Sequence, residues 1–420
     1  MSVPKRARAR AGPGAPPRYP PVNRLLARDA SAAAGLGLAL GLGSAASAAA
    51  TATAQTSTAT AQTYFVAPDG ADTSGSCTAN TASNAFPTIQ DALACAVSGD
   101  TISLAPTGST PYPGFGTVSQ NITISAASGA TARTVAVNET TAALTVGAGA
   151  TVKLTGVTLN GGSNPAAPDV TNHGVLTLTR DSITGSPATG GIENSSAGAS
   201  AARLTLNGTT VSGKVGTQSG AGVTSVTGTG TGAVSLTVEN STIAGNNAVE
   251  GEVGGVYTGL GTTAKFINAT ITGNQGEGSG TTGGLFTAAG AGAVVLSNTI
   301  IGGNAGGGNP DCSGHLADGP GGHNLIGNIG TGTGTGACSG LTNGVNGDQV
   351  SVPAGVLPLA SNGGPTNTAA LAPSSPAIGA ASATTCEQAP INDTDQRGHS
   401  RNATTRGGCD IGAYDTGGAS

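Results

Sequence analysis

Three glutamates have the spacing best suited to binding a cation. When the internal repeats of the chain are aligned, Glu250 and Glu252 lie seven and nine residues after Ile243. Glu277 lies six residues after Ile271 in the next repeat. The three carboxylates would share one corner of adjacent repeats, and carboxylate oxygens are ligands that Ca²⁺ prefers. No Lys or Arg aligns beside them as a base. We therefore favour a solvated acidic corner, predict no catalytic residue and no metal site, and keep a Ca²⁺ cofactor as the alternative.

Two aromatic residues occupy one position of successive repeats. Tyr257 and Phe286 each follow a Gly-apolar pair, and the equivalent residues of the two earlier repeats are Glu193 and Thr224. Aromatic rings on an outer face can stack on the faces of sugars, but aromatic pairs also stabilise adjacent strands. The pair is therefore a candidate carbohydrate contact with a purely structural alternative.

The remaining polar residues point to architecture. Each of the four histidines lacks a Cys or Asp at metal-ligand spacing. Acidic and guanidinium side chains alternate near the C-terminus, an arrangement that more often holds irregular loops together than performs catalysis. These tail residues are Asp393, Asp395, Arg397, Arg401 and Asp410.

The elements that would position these residues repeat along the chain. The central apolar positions of one recurring short strand are Leu159, Ile183, Val211, Ile243, Ile271 and Ile300, at spacings of 24, 28, 32, 28 and 29 residues. Each unit also has an upstream strand with period-two alternation, such as Leu204-Thr205-Leu206, and a third strand after a Gly pair. Three short strands per unit, separated by Gly-rich corners, predict a coil that stacks in parallel on its neighbours.

Asparagines recur at the corners of the predicted coil. Asn240, Asn268 and Asn298 each lie two residues after an apolar strand position, so successive coils would stack them as a structural Asn ladder. A second ladder would contain Asn246, Asn274 and Asn304. Stacked amides can satisfy turn backbone that would otherwise be buried unpaired.

Composition excludes several classes of protein. The 420 residues contain 72 Gly but only 9% charged and 2% aromatic residues, too few charges for amphipathic helices and too much apolar content for ordinary disorder. Residues 51–420 carry nine Lys and Arg against 20 acidic residues, a net charge of −11. This charge argues against nucleic acid and anionic membranes as partners.

The chain resembles the bacterial β-helix proteins of the pectin-lyase-like superfamily, including polymorphic-membrane-protein repeats. The Gly-Gly-apolar plus Asn pattern carries the resemblance, and Pro87-Thr88-Ile89-Gln90-Asp91-Ala92-Leu93 resembles the usual start. The resemblance implies a right-handed parallel β-helix, with a short helix at 88–97 covering the N-terminal end. It also brings polysaccharide lyases and hydrolases into consideration.

The tail resembles a choice-of-anchor Q module over about a hundred residues. The motifs that carry this resemblance are Asn309-Pro310-Asp311-Cys312, Gly322-His323-Asn324-Leu325, Asn362-Gly363-Gly364-Pro365, Asp395-Gln396-Arg397-Gly398 and Cys409-Asp410-Ile411-Gly412. With these resemblances, the simplest cysteine pairings are Cys77–Cys95, Cys312–Cys338 and Cys386–Cys409, although six Cys allow 15 connectivities. The fold predicted is thus all-β, with a disulfide-stapled C-terminal cap.

The N-terminus predicts export. A basic stretch precedes an Ala/Gly/Leu run, and Ala46-Ser47-Ala48 fits a signal-peptide cleavage site. The predicted divisions are a signal peptide at 1–48, a Thr/Ala linker at 49–62, a cap with the first coils at 63–120, β-helix repeats at 121–308 and the anchor-like module at 309–420. We expect no membrane insertion after signal cleavage, and release or non-covalent retention at the cell surface.

The function expected is that of a secreted or cell-surface β-helix without catalysis, serving in structure, adhesion or binding. An extracellular polysaccharide or a cell-surface component is the expected partner. Two alternatives remain: a polysaccharide lyase or glycoside hydrolase of the same fold, and a carbohydrate-binding protein without turnover.

Overall fold

The computed structural model describes residues 60–72, 74–107, 111–127, 133–136, 142–160, 167–185, 190–216, 219–249, 253–330, 338–401 and 408–417. All of them belong to one unit, Ala59–Ser420. The predicted signal peptide and most of the predicted linker lie outside the described residues. In the described part of the chain, neither helix has the length and apolarity needed to cross a bilayer.

Four parallel sheets form the body of the protein. Sheet A contains β1 (Thr63–Val66), β2 (Thr101–Leu104), β4 (Ile122–Ala126), β7 (Thr151–Thr155), β10 (Val175–Thr179), β13 (Ala202–Asn207), β17 (Val234–Glu239), β21 (Thr262–Ile267), β25 (Val294–Ser297) and β28 (Ala317–Asp318). Sheet B contains β5 (Arg133–Ala136), β8 (Val157–Asn160), β11 (Ser182–Thr184), β14 (Thr210–Ser212), β18 (Thr242–Ala244), β22 (Thr270–Thr272), β26 (Ile300–Ile301), β29 (Leu325–Ile326) and β30 (Gln349–Val350).

The other two sheets complete the coils. Sheet C contains β3 (Gly116–Val118), β6 (Leu144–Val146), β9 (Val170–Asn172), β12 (Ile192–Ser195), β16 (Val223–Val226), β20 (Val256–Thr258), β24 (Leu285–Thr287) and β27 (Cys312–Ser313). Sheet D contains β15 (Val215–Gly216), β19 (Asn247–Ala248) and β23 (Gln275–Gly276). Each full coil therefore visits sheets A, B and C in turn, which confirms the predicted parallel β-helix with three main strands per coil.

The interior is built from the alternating strands. In β13, Ala202, Leu204 and Leu206 point inward and are buried, whereas Arg203 is exposed. Leu206 aligns with Val238 of the next coil, and the parallel register continues in both directions. Burying such an aliphatic side chain contributes about 1.5–3 kcal/mol. A continuous column of stacked apolar residues thus stabilises the coils in one register.

The N-terminal end carries the predicted short helix. Helix α1 spans Ile89–Cys95, and the hydroxyl of Thr88 accepts a hydrogen bond from the backbone of Asp91 as its N-cap. Ile89 and Ala92 are buried in the same apolar core as the first coils. Disulfide Cys77–Cys95 joins the end of this helix to the preceding loop.

The C-terminal part returns along the outside of sheet B. We call residues 353–401 and 408–417 the return segment; it contains the antiparallel hairpin β31 (Val356–Ala360) and β32 (Thr368–Leu371) and the helix α2 (Ala383–Glu387). Contacts with successive coils run from Thr366 Oγ1, which donates to Gly208 O at 3.0 Å, to Ser382 N, which donates to Asn298 Oδ1 at 2.8 Å. The remaining predicted disulfides, Cys312–Cys338 and Cys386–Cys409, are both present in this half of the chain.

One repeat position differs from the predicted register. Ile301, not Ile300, aligns with Ile271, and Ile300 aligns with Thr270. The sequence alignment placed Thr299 opposite Thr270. Aligning Asn298 with Asn268 instead places Ile300 opposite Thr270, which is the observed register. Ile300 consequently points outward, where it packs in a second apolar cluster with Ala354 of the return segment.

The corner between sheets A and B explains the recurrence of one asparagine set. Asn240, Asn268 and Asn298 have φ values of 43°, 46° and 49°, in the left-handed region that Asn tolerates better than most residues. Asn298 Nδ2 donates to Asn268 Oδ1 at 3.4 Å. Asn240 Nδ2 instead donates to Thr394 O at 2.8 Å. These side chains therefore bind the return segment as well as one another.

The second asparagine set forms a buried column between sheets B and D. Asn246 Nδ2 donates to Asn274 Oδ1 at 2.8 Å, and Asn274 Nδ2 donates to Asn304 Oδ1 at 2.9 Å. Asn304 Nδ2 donates to Asp311 Oδ1 at 2.8 Å. We call Asn246, Asn274 and Asn304 the asparagine column. It satisfies polar backbone inside the coil, because each amide also donates to a carbonyl of the preceding coil.

Candidate functional site

Of the three glutamates predicted to share a corner, the structure describes one, Glu277. Glu250 and Glu252 lie outside the described residues. Glu277 directly follows β23 and is exposed, and its Oε1 accepts a hydrogen bond of 2.9 Å from Asn247 Nδ2 of the preceding coil. Within the described ranges, no group of three or more His, Cys, Asp or Glu side chains is placed to hold a metal ion.

The two aromatic residues are neighbours on the outer face of sheet C. Tyr257 pairs with Phe286 in the parallel register, and their ring centroids lie 5.3 Å apart with planes inclined by 4°. Both side chains are half-buried. Each ring covers part of one face of the other, so less ring surface is open to a sugar than two separate rings would offer. This geometry favours the strand-stabilising role.

Four of the five tail residues, Asp395, Arg397, Arg401 and Asp410, form a largely buried network, whereas Asp393 is exposed. Arg401 donates from Nη2 to Asn240 Oδ1 and from Nε to Thr394 O, at 2.8 and 3.0 Å. Arg397 donates to Asp395 Oδ2 from Nε at 2.8 Å, and its guanidinium lies 3.9 Å from the centre of the Tyr414 ring. Burial lowers the pKa of Arg401, with nearby carboxylates opposing the shift. The network fastens the return segment to the coils.

A set of cations on sheet A was not identified from the sequence. Lys153, Arg203 and Lys265 are exposed at outward positions of β7, β13 and β21. Arg180, also exposed, follows β10 at the corner of the same sheet. We call these four residues, with the outward threonines between them, the basic face. Of the Lys and Arg side chains whose burial the structure describes, these four are the exposed ones; Lys214, Arg397 and Arg401 are buried or half-buried.

Threonines fill the row between the two lysines. The parallel register joins Lys153 to Lys265 through Thr177, Thr205 and Thr237. Four strand steps separate the two ammonium-bearing residues, or about 19 Å at the ordinary strand spacing. The basic face therefore presents hydroxyl groups between cations, along the direction of the coil axis.

Small recesses adjoin both ends of this row. One of about 180 Å³ lies beside Lys153 and is also lined by Asn121 and Thr151. Another of about 220 Å³ lies beside Lys265 and is also lined by Pro320 and Gln388. A ligand on the basic face could therefore contact the polar or apolar side chains of a recess as well as the neighbouring cation.

One carboxyl group lies within the basic face. Glu239 is half-buried, and its Oε2 accepts a hydrogen bond of 3.1 Å from Asn207 Nδ2. Burial raises the pKa of Glu239, while the Asn207 hydrogen bond and the charge of Lys265 oppose the shift. The carboxylate thus neutralises part of the face near Lys265. At the other end, the buried Asp100 lines the recess beside Lys153.

Arg180 has an unfavourable backbone conformation for its residue type. Its φ is 55°, and the corresponding corners of neighbouring coils hold Gly156, Gly208 and Asn240, which adopt such angles more readily. A non-Gly side chain at such a corner adds backbone strain, and strain of this kind is grounds for a hypothesis of function. Chemically, the face is suited to binding an extended polyanion through ion pairs and hydroxyl hydrogen bonds.

The signal that could have revealed this face is the strand period. In Val152-Lys153-Leu154, Arg203-Leu204-Thr205 and Ala264-Lys265-Phe266, the cation alternates with inward apolar residues. Aligning these strands places their cations on one face. In the sequence, Lys265 and Arg203 do not align beside the predicted glutamate corner, so the search for a base there passes over both.

Comparison with known proteins supports the fold. No family model matches the chain, and none of the curated proteins matches it. Among solved structures, the crystal structure of pectate lyase Pel9A is similar, with a TM-score of 0.52 and 12% sequence identity. The match covers 84% of this chain and 96% of that one. The chain therefore shares its parallel β-helix fold with a pectate lyase.

Proposed function

We propose that this protein is an extracellular β-helix that binds an acidic polysaccharide on its basic face without cleaving it. The observation that carries the proposal is the gathering of the exposed cations on sheet A, in a chain whose residues 51–420 have a net charge of −11. A local cationic surface on an acidic protein supports an anionic ligand, because the potential there is opposite in sign to that of the rest of the protein and concentrates anions at that face.

The extended form of the face favours a polymer. The cations follow the coil axis over five strands, and their threonine neighbours provide donors and acceptors for sugar hydroxyls. A small anion would need convergent donors around one point. The name of the structural neighbour refers to pectate, which makes pectate the first polymer to test.

We also propose that the protein acts outside the cell and remains at its surface. Three disulfides support an oxidising compartment. The resemblance of the tail to choice-of-anchor Q modules supports surface retention. Fractionation of producing cells tests this part: the protein should be found in the wall or surface fraction, and recovery only from the cytosol would contradict it.

Affinity electrophoresis of the full chain in gels containing pectate, alginate or a neutral glucan tests the binding. We expect retardation by the two acidic polymers that weakens as salt rises, because each ion pair is screened. The variant Lys153→Gln/Arg203→Gln/Lys265→Gln should lose about tenfold in affinity, on the basis of roughly 0.5 kcal/mol for each of three exposed ion pairs. The control Lys153→Arg/Lys265→Arg keeps the charge and should bind nearly as wild type.

Arg180→Asn separates binding from folding. It should weaken retention by the acidic polymers while leaving stability unchanged or raised, because Asn accepts the left-handed corner more readily than Arg. Equal retention of the wild type, the triple variant and Arg180→Asn would refute the basic face as the binding site. Tyr257→Ala, which leaves the face intact, should not alter retention.

The alternative is a polysaccharide lyase or hydrolase. The same polymers are incubated with the protein, with and without Ca²⁺, and new reducing ends and the absorbance of unsaturated uronides are followed. Retention without products is the expected result. Products that disappear in a Glu277→Gln variant would replace the binding proposal with an enzyme whose site is the predicted acidic corner.

A further inference from the structure

A lysine and an aspartate are buried together at one end of the asparagine column. Lys214 occupies the position that Asn246 takes in the next coil, and its backbone N–H donates to Asn246 Oδ1 at 3.1 Å. The side chain extends in the opposite direction, towards Asp169, which directly precedes β9. Both side chains are 1% exposed. The pair joins segments that are 45 residues apart and belong to different coils.

The contacts of the lysine hold its nitrogen against the carboxyl group. Lys214 Nζ contacts Asp169 Oδ2 and lies 2.8 and 2.6 Å from the carbonyl oxygens of Thr184 and Gly185. Gly191 adjoins the stem, where a Cβ added to it would lie 3.3 Å from Lys214 Cγ. The lysine is therefore confined both at its tip and along its stem. Asp169 Oδ1 is buried and has no hydrogen-bond partner among the described groups.

The surroundings favour the uncharged forms of both groups. Burial raises the pKa of Asp169 to about 6, with the charge and hydrogen bond of Lys214 opposing the shift. Burial also lowers the pKa of Lys214. Condensation needs one proton to pass from the ammonium to the carboxylate inside the pair, a transfer that removes two buried charges at once and needs no outside base. This transfer leaves a neutral amine next to a carboxylic acid, the reactive form of each group.

We propose that Lys214 and Asp169 condense to form an intramolecular amide bond. The lone pair of Nζ attacks Cγ of Asp169, a C–N bond forms, and the bond from Cγ to the hydroxyl oxygen breaks. The leaving hydroxyl takes a proton from the nitrogen and departs as one molecule of water, so that atoms and charges balance without an oxidant, a reductant or a cofactor. The carbonyls of Thr184 and Gly185 accept hydrogen bonds from the amine before the attack and direct it.

The amide resolves the one feature of the pair that hydrogen bonding leaves unsatisfied. The unpartnered carboxylate oxygen of Asp169 becomes the oxygen of a neutral amide, which is less costly to bury than an anionic one. The covalent bond would also clamp two coil corners together at the point where the asparagine column begins, because Lys214 aligns with the column and Asp169 precedes it.

Mass spectrometry of the reduced full chain tests the proposal. The wild type should be lighter than its residue sum by about 18 Da, the mass of one water. A tryptic digest should contain residues 154–180 joined to residues 204–265, with no cleavage after Lys214. The Lys214→Arg and Asp169→Ala variants should show neither change. Asp169→Asn should again form the bond, with a loss of about 17 Da, since ammonia leaves in place of water.

The measurement on the wild type decides the matter even if a variant fails to fold. A reduced wild-type chain of full residue mass, with separate peptides 154–180 and 204–214 in the digest, would show that the pair is a buried ion pair only. A mass loss of one water without the joined peptide would place the dehydration elsewhere and would equally overturn the assignment.

Discussion

The outward-facing rows of sheets A and B both contain threonines, but the two rows lie in opposite environments. On one coil, Thr237 of β17 is half-buried on the open face of sheet A, whereas Thr242 of β18 is fully buried on sheet B. Thr242 Oγ1 lies 2.5 Å from Gln396 Oε1 of the return segment, and Gln396 Nε2 also donates to Thr210 Oγ1 of the preceding coil. A threonine row can thus be a solvent-facing surface or an interface, depending on which distant segment covers it.

The covered row should depend most strongly on Arg401. This side chain is buried and donates to four groups, three of them backbone carbonyls. Arg401→Met should lower the free energy of unfolding by about 3–5 kcal/mol, because it leaves buried acceptors and nearby carboxylates unpaired. Denaturant titration measures the loss. Arg203→Met on the open face is the control and should change stability by about 0.5 kcal/mol or less. Equal effects of the two would contradict the distinction between the sheets.

A matched pair of threonines sharpens the comparison. Thr242→Val should cost about 1–3 kcal/mol, since Gln396 Oε1 is left buried without its donor. Thr237→Val replaces one β-branched residue with another on the open face and should be nearly neutral. Thermal unfolding of both variants gives the answer, and a neutral Thr242→Val would mean that the return segment dissociates at little cost.

An effect of pH on stability is expected where sheets A and B meet at their C-terminal end. Asp348, just before β30, adjoins Asp318 of β28, and its Oδ1 accepts a hydrogen bond of 2.8 Å from Asn324 N. Burial, assisted by Asp318, raises the pKa of Asp348 to about 7. Between about pH 4 and pH 7 the folded protein therefore holds a proton that the unfolded chain has lost, so this group makes stability fall as pH rises through that window.

The expected loss between pH 5 and pH 8 is about 1–3 kcal/mol from this group, because each pH unit in which only the folded chain holds the proton contributes about 1.4 kcal/mol and solvent screening lowers the sum. Asp348→Asn should remove that part of the pH dependence and raise stability at pH 8, because the amide stays neutral and can donate to Asp318. Urea unfolding of both proteins at the two pH values measures it. The same slope in the variant and the wild type would assign the pH dependence to another group.

The sequence predicted the coils well because they depend on local, periodic information. The alternation in β13 and the spacing of the Thr-Ile strands were enough to place three sheets, whereas helix α1 was expected from the resemblance of residues 87–93 to the usual start of such proteins. The return segment could not be predicted in the same way, since Thr242 and Gln396 are 154 residues apart and nothing in the pattern of β18 differs from that of an exposed strand. Ile300 is the exception: an apolar residue at a threonine position signals that something apolar covers it.

The candidate site shows the same limit. The cations of the basic face were readable from the period of the strands, but the proximity of Lys214 and Asp169 was not. Lys214 occupies a position that Asn246, Asn274 and Asn304 hold in later coils, and the repeat pattern alone assigns it no partner. Only the three-dimensional path of the corner brings it to Asp169.

The side-chain hydrogen bonds of the asparagine column all run in one direction along the coils. Each amide donates one N–H to a backbone carbonyl of the preceding coil and the other to the next side chain of the column or to Asp311, so each coil requires a side-chain acceptor further along the chain. Asp311 ends the series because its carboxylate accepts from Asn304 and has no proton to pass on. Whole coils can be duplicated or deleted in the middle of such a column without leaving a donor unpaired. Asp311 must stay at the end of the column. The protein can therefore become longer or shorter in steps of one whole coil.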